Sequence, residues 1–280
     1  MPRVSADSAV VAPAVSVVVR AKNEAAAIGE VLDIVLGQDL DGRELEVIVV
    51  DSGSTDGTLE IVRERPVTLI EIPSETFSFG GSLNTGCGAA SAPILVALSA
   101  HAYPLDDRWL ARLLAAFDDV RVACACGVDN APDGSRLDGP VYQDLAHWEA
   151  YPAWGYGNAA GAFRAELWRK RPFREDMPGT EDKEWALHWM KEGYVALIDP
   201  ALRVRHDHSH DPLHDIYRRF RVQWTGHTMF REVPRYGPRE LIREWWHDSA
   251  GWPNHFRARL SPQRIARLLG KYAGLKATRA

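Results

Sequence analysis

At 280 residues with 46% apolar side chains, the chain can form one large or two small domains around a real core. A formal charge of −5 gives no reason to expect nucleic acid as a partner. Three cysteines, Cys87, Cys124 and Cys126, are too few and too irregularly spaced for a disulfide framework or a zinc site, and point to reduced, buried thiols in a cytoplasmic protein.

Residues 1–13 are a loose leader without the basic segment and apolar block of a signal peptide. No later run is apolar for long enough to span a bilayer. Val15-Ser16-Val17-Val18-Val19 is the first buried strand, with Arg20-Ala21-Lys22-Asn23-Glu24 as the loop at its carboxyl end. Ile28, Val31, Leu32, Val35 and Leu36, at three-and-four spacing, predict a helix. Residues 47–50 form a second strand that stops at Asp51, and Ser52-Gly53-Ser54-Thr55-Asp56-Gly57 turns the chain into another helix. Residues 67–70 are a third strand. This alternation predicts a parallel, doubly wound sheet.

In such sheets ligands meet the loops at the carboxyl ends of the strands, which makes Asp51 a candidate contact; the alternative is a helix cap. No glycine-rich dinucleotide or P-loop pattern follows the first strand, so a nucleotide here is held by loop side chains. Residues 77–84 predict a polar loop in which Gly80 and Gly81 either admit a ligand close to the backbone or simply turn the chain, before a short helix over 85–90. Residues 94–98 are a further strand ending in Ser99-Ala100-His101, followed by a helix over 107–117. His101 is either a structural hydrogen-bonding residue or a ligand at the same edge as Asp51.

Residues 129–139 are loop-like, and in the aromatic stretch after them Trp148, Tyr151, Trp154 and Tyr156 either line an acceptor groove or pack in the core. Residues 158–163 predict a short strand of small residues. Glu181, Asp182 and Glu184 open a helix; acids suit a first turn, but three in four residues exceed what a cap needs. His206, His208 and His210 alternate, so an extended chain would point them to one side, as suits metal or phosphate; the alternative is a solvated loop. From Leu213 onward the chain is helical, aromatic and basic. Residues 257–280 hold seven Lys or Arg and no acid, against a net charge of −12 for everything before them. That tail has three readings: contact with an anionic membrane surface, packing on its own domain, or a homodimer. The organisation is therefore a leader (1–13), two halves (14–128 and 129–212) and a C-terminal helical, basic extension (213–280).

Val49-Val50-Asp51-Ser52-Gly53-Ser54-Thr55-Asp56-Gly57-Thr58, then Pro172-Phe173, Glu181-Asp182, Gly193-Tyr194, Pro200 and His206, resemble in order and spacing the family-2 glycosyltransferases, across residues 15–220. Residues 77–84, with His206 and His208 before Arg218-Arg219-Phe220, look most like rhamnosyltransferase-type members. The resemblance implies a GT-A fold: α/β, with a Rossmann-like, mostly parallel central sheet flanked by helices, here with the C-terminal helical extension. It implies an inverting enzyme that moves a sugar from a nucleotide-diphosphate donor, UDP- or dTDP-linked, to a hydroxyl of a glycan, lipid-linked or natural-product acceptor.

Carried onto matching positions, the resemblance makes Asp182 of the Glu181-Asp182 pair the catalytic base. Ala21, Asn23, Glu24 and Asp51 would hold base and ribose, in a nucleotide set completed by Arg20, Ser52, Gly80, Gly81, Asn84, Ser99 and Ala100. Trp154, Asn158 and Gly161 would meet the acceptor. Two departures stand out. The usual Pro of the first loop gives way to Arg20 or its neighbours, and the Asp-x-Asp metal motif falls on Ser99-Ala100-His101, with both carboxylates gone. Three outcomes follow from the second departure: His101 with His206 or His208 ligates a divalent metal, Mn²⁺ or Mg²⁺, with imidazole favouring Mn²⁺ or a softer ion; cationic side chains replace the metal; or activity is lost. The surviving Glu-Asp pair favours retained activity. The competing readings are a non-catalytic nucleotide-sugar-binding partner of another transferase and a sugar nucleotidyltransferase, whose glycine-rich phosphate loop is missing here. The protein is expected in the cytoplasm or peripherally on the inner membrane face.

Overall fold

The computed structural model describes residues 12–208, 211–247 and 260–277. The leader, except Pro13 and the residue before it, and His210 lie outside the described residues. The first half builds β1 (Val15–Ala21), α1 (Ile28–Leu36), β2 (Leu45–Asp51), α2 (Thr58–Arg63), β3 (Thr68–Glu71), α3 (Phe79–Ala89), β4 (Ile94–Ser99), β5 (Tyr103–Pro104), α4 (Trp109–Ala115) and β6 (Val122–Cys126). There follow β7 (Val141–Gln143), α5 (Leu145–Ala150), β8 (Ala160–Arg164), α6 (Ala165–Lys170), α7 (Glu181–Lys191), β9 (Val195–Ile198), β10 (Val204–Arg205), α8 (Leu213–Phe230), α9 (Pro238–His247) and α10 (Pro262–Ala277).

Eight strands form one sheet in the order β3-β2-β1-β4-β8-β6-β9-β7. The run β3-β2-β1-β4 is parallel throughout, β8 is antiparallel to both its neighbours, and β7 closes the far edge antiparallel to β9. β1 and β2, inside the parallel run, are buried and β-branched because helices cover both faces of the sheet. On one face α1 buries Ile28, Val31, Leu32 and Val35, joined by Trp109, Leu110 and Leu113 of α4. On the other, Leu83 and Cys87 of α3 meet Trp168 of α6 and Trp185 of α7. All three cysteines are free and buried, and burial pushes the Cys126 thiol up to about 11. Among the described residues no helix is long and apolar enough to cross a membrane. The described part of the tail packs on the chain itself: a Cβ on Gly270 or Gly274 of α10 would lie 2.4 Å from a carbonyl oxygen of α8, Tyr217 or Arg221 respectively.

One element differs from the sequence reading. The helix expected from residue 85 starts at Phe79, so Gly80 and Gly81 lie in its first turn and not in a ligand-facing loop. Ser78 caps it by accepting from the Gly81 N–H at 2.9 Å. Gly80 is small because a Cβ there would sit 2.3 Å from the Arg174 carbonyl oxygen. Close approach to another backbone thus overrides the poor helix propensity of glycine.

Two glycines of α3 separate packing from propensity. A Cβ on Gly86 would lie 2.3 Å from Val18 Cγ1 and 2.9 Å from Val50 Cγ2, whereas one on Gly88 meets open space. Gly86→Ala is expected to lower the urea midpoint by the equivalent of about 1–3 kcal/mol, and Gly88→Ala to leave it unchanged or raise it by up to about 1 kcal/mol.

Candidate active site

The strands β1, β2 and β4 run parallel and in register, so the loops that follow them meet at one edge. Asp51 ends β2 fully buried. Its Oδ1 accepts from the N–H groups of Gly53 (2.9 Å) and Ser54 (2.8 Å), and its Oδ2 from the Ser54 hydroxyl. The carboxylate therefore shapes the turn; it does not cap α2, whose N-cap is Gly57. Gly53 and Gly57 carry positive φ of 83° and 97°, backbone that this turn needs and that glycine supplies freely. Ser52 and Ala21 are buried and joined by a backbone bond of 3.0 Å.

The first loop is clasped to this turn. Asn23, itself at φ 55°, donates its N–H to Ser54 Oγ and accepts from the Thr55 N–H through Oδ1, both at 2.8 Å. The Glu24 N–H reaches Thr58 Oγ1 at 2.8 Å and the Ala25 N–H reaches Asp56 Oδ2 at 3.1 Å. Glu24 turns its carboxylate elsewhere, to His101 Nδ1 at 2.9 Å.

His101 gains company through a two-residue ribbon. β5 pairs antiparallel with β10, Tyr103 opposite Arg205, and the chain continuing past β10 is thereby laid along the segment after β4. His206 stacks on His101 with centroids 4.8 Å apart, and His208 meets both edge-on. One ligand nitrogen from each of the three lies within 4.8 Å of the others. Burial and the neighbouring imidazoles hold His206 down at about 4, and burial with Arg219 lowers His208. His206 Nε2 is buried with no hydrogen-bond partner, while His208 Nδ1 is oriented by Asp211 (3.0 Å), itself paired with Arg219 (2.9 Å). An open, buried nitrogen on His206, with the Nδ1 atoms of His101 and His208 steered by the carboxylates of Glu24 and Asp211, is the chemistry of a transition-metal site. Asp211 and Arg219 were not among the residues expected here; the only local signal is the three-residue step from His208 to Asp211.

The acidic pair lies on the other side of the same edge, and the bond from the Ser99 N–H to the Ala159 carbonyl (2.8 Å) ties the two sides together. Ala100, next along, is buried and offers no side chain. Thr180, at φ 64°, swings the chain into α7. Asp182 is half-buried, with Oδ2 accepting from the Asn158 N–H (3.0 Å) and Oδ1 from the Lys183 N–H (2.7 Å). Glu181 is 4% exposed and faces Arg20 at 3.6 Å. Burial and the charge of Asp182 push its carboxyl well above the usual range, and Arg20 opposes them. Arg20 also donates to the Phe79 carbonyl at 3.0 Å, so one guanidinium joins β1, α3 and α7.

Several expected contacts are not brought to the edge. Asn84 donates to the Phe173 carbonyl and Glu175 and accepts from Trp168 and the Phe173 N–H, at 2.8–3.1 Å, so the amide is spent on pinning α3 to the chain before α7. Gly80 and Gly81 are occupied in the same packing. Gly161 sits inside β8, where a Cβ would lie 2.5 Å from the Gly157 carbonyl oxygen, so close strand packing accounts for the glycine. Trp154 is half-buried, its indole donating to the Asn130 carbonyl at 2.7 Å. Trp148 and Tyr156 belong to the core.

Residues 16–193 match the family model described as glycosyl transferase family 2. The chain belongs to this family. It is similar to the glycosyltransferase AglE of Haloferax volcanii, 36% identical over 104 residues that make up 36% of this chain and 34% of that one. It is also similar to the O-antigen chain rhamnosyltransferase WbaN of Salmonella anatum, 24% identical over 205 residues, 62% of this chain and 60% of that one. The match thus spans about a third and three fifths of these curated relatives. Among solved structures, the mannosyltransferase PcManGT from Pyrobaculum calidifontis, in complex with GDP-Man and Mn²⁺, superposes with a TM-score of 0.65 at 24% identity, covering 96% of this chain and 87% of that one. TarS 1-349 of S. aureus in complex with UDP-GlcNAc gives 0.55 at 16% identity, with 95% and 91% covered. The chain therefore has the GT-A fold expected of it.

The raised carboxyl of Glu181 makes a stability prediction. An acid bound to its proton more tightly folded than unfolded stabilises the fold below its ordinary value of 4.5, and that contribution drains away as pH rises toward its folded value. Denaturant midpoints of wild type and Glu181→Gln, compared from pH 4.5 to neutrality, are expected to shift steadily in favour of the glutamine variant as pH increases.

Proposed function

We propose that the chain is an inverting glycosyltransferase that moves a hexosyl or deoxyhexosyl group from a nucleoside-diphosphate sugar to a hydroxyl acceptor in one displacement. The observation that carries this reading is Asp182: a half-buried carboxylate fixed by two backbone N–H groups, at the start of a helix, beside the edge where the β1, β2 and β4 loops converge. The acceptor oxygen attacks C1 of the donor sugar as Asp182 takes its proton, the bond from C1 to the phosphate oxygen breaks, and the nucleoside diphosphate leaves from the opposite face. Glu181, buried against Arg20, does not reach the acceptor; it holds the start of α7, and so Asp182, in place. The clasped loops around Asn23, Asp51 and Ser52 form the nucleotide end. UDP- and dTDP-sugars are the donors that the family resemblance favours.

His101, His206 and His208 are a fitting donor set for a divalent ion, because His206 Nε2 is buried and unpartnered and the three rings converge. When bound, such an ion supplies positive charge to the departing diphosphate. Glu24 and Asp211 then serve by orienting His101 and His208.

Two measurements test the reading. With a panel of nucleotide sugars, Asp182→Asn is expected to lower turnover about 10²- to 10⁴-fold while the donor still raises the melting temperature; turnover at the wild-type rate refutes the base assignment. Mn²⁺ is expected to strengthen donor-induced thermal stabilisation more than Mg²⁺ does, with His206→Ala removing the difference. Activity insensitive to both EDTA and His101→Ala overturns the metal site.

A further inference from the structure

Away from the acidic pair, a cavity of about 500 Å³ lies between the chain after α5 and the C-terminal helices. Its walls include Tyr151 and Trp154 from the first and Trp224, Arg231, Tyr236 and Lys271 from the second. The volume is that of a small-ligand pocket. The aromatic walls are held in advance: the Trp154 indole donates to the Asn130 carbonyl and its ring stacks on His147 at 5.3 Å and 18°. Lys271 is part of the wall, its ammonium bound to both oxygens of Glu244 (2.8 and 2.7 Å) and lying 4.4 Å from the centre of the Trp224 ring. Arg231 is different. It is half-buried, it donates through Nε to His227 Nδ1 at 3.3 Å, and it has no carboxylate partner among the described residues. Burial alone lowers its affinity for its proton. A partly desolvated guanidinium 5.8 Å from the centre of the Trp224 ring, in a wall shared with Tyr151, Trp154 and Tyr236, is a positive charge with no carboxylate beside it among the described residues, in a pocket otherwise suited to flat, weakly polar faces.

The pocket is tied to the candidate base from both sides. Trp154 stands four residues before Asn158, whose N–H holds Asp182, and four residues span at most about 14 Å. On the other wall, α8 meets the chain leading into α7 so closely that a Cβ on Gly226 would lie 2.0 Å from the Gly179 carbonyl oxygen. From this juxtaposition we infer that the cavity is the acceptor subsite and takes an acidic glycan, the faces of its sugar rings against Tyr151, Trp154 and Trp224 and its carboxylate or phosphate on Arg231. The inference rests on the glycosyl-transfer reading for its role in the reaction. Its chemistry follows from the pocket alone.

The test is equilibrium binding of the full-length chain, without donor, to soluble oligosaccharides in matched neutral and acidic forms, with a uronate as the acid in one set and a phosphomonoester in the other. Supporting results are acidic forms bound about tenfold to a hundredfold more tightly than neutral ones, loss of that preference in Arg231→Gln, and its partial return in Arg231→Lys. Tyr151→Ala, at a 48% exposed position where folding is not at stake, is expected to weaken both forms. A thermal shift with a nucleoside diphosphate checks that each variant is folded. Equal affinity for neutral and acidic glycans, a preference that survives Arg231→Gln, affinity unchanged by Tyr151→Ala, or binding confined to vesicles containing a prenyl phosphate overturns the inference. Because no donor is present, failure here leaves the Asp182→Asn outcome standing, and failure there leaves the glycan measurement standing.

Discussion

Parallel strands buried on both faces have no place for a polar side chain except at their ends. β1 and β2 obey this constraint closely: Val17, Val18, Val19, Ile48, Val49 and Val50 are buried, and polar chemistry resumes at Arg20 and Asp51. The same edge receives Ser99 at the end of β4, with His101 two residues on, and, through the bond from Ser99 to Ala159, the strand that supports Asp182. The site is thus a consequence of the sheet. Moving any of these strands by one residue would exchange its polar terminus for a buried valine or leucine.

Around that edge, a polar side chain is used once for architecture or kept free for a ligand, and the hydrogen bonds tell which. Asp51 and Asn23 are occupied in clasping two loops, so what they offer a nucleotide is a rigid outline and their remaining lone pairs. Asn84 is occupied completely. By contrast, His206 Nε2 has no partner, and Asp182 is held by backbone donors alone, which leaves its outer lone pairs available. Glu181 and Arg20 form the buried counterpart: they face each other at 3.6 Å at the start of α7, with Glu181 only 4% exposed.

The strands β1, β2 and β4 and the helix α1 are legible in the sequence because each carries its own period or its own unbroken apolar run. The start of α3 is not, since a glycine pair signals a turn locally and is explained only by the Arg174 carbonyl, more than ninety residues away. Glu24 reads as a loop residue because its partner, His101, lies 77 residues further on. The two-residue strands β5 and β10 carry no hydrophobic pattern at all, yet their pairing brings His101, His206 and His208 together. The alternation of histidines and their family-like order were enough to group them; the Asp211 and Arg219 that steer His208 depended on the fold of α8, which sequence spacing does not give.

The two departures from the family pattern fit one electrostatic argument. Replacing the two metal-motif carboxylates by Ser99 and His101 removes two negative charges from the edge proposed to face a diphosphate. Two carboxylate ligands formally cancel the charge of a divalent ion, whereas three neutral imidazoles cancel none of it. A histidine site therefore gives up some affinity for hard ions but leaves the full positive charge directed at the leaving group. Arg20, in the loop where the family's proline is missing, faces the buried Glu181 and ties β1 to α3 and α7 through contacts that a proline side chain has no donors to make. In the proposed reaction, a site that has lost its acidic motif in this way would keep the electrostatic means to stabilise a departing diphosphate, with the positive charge held by a different set of residues.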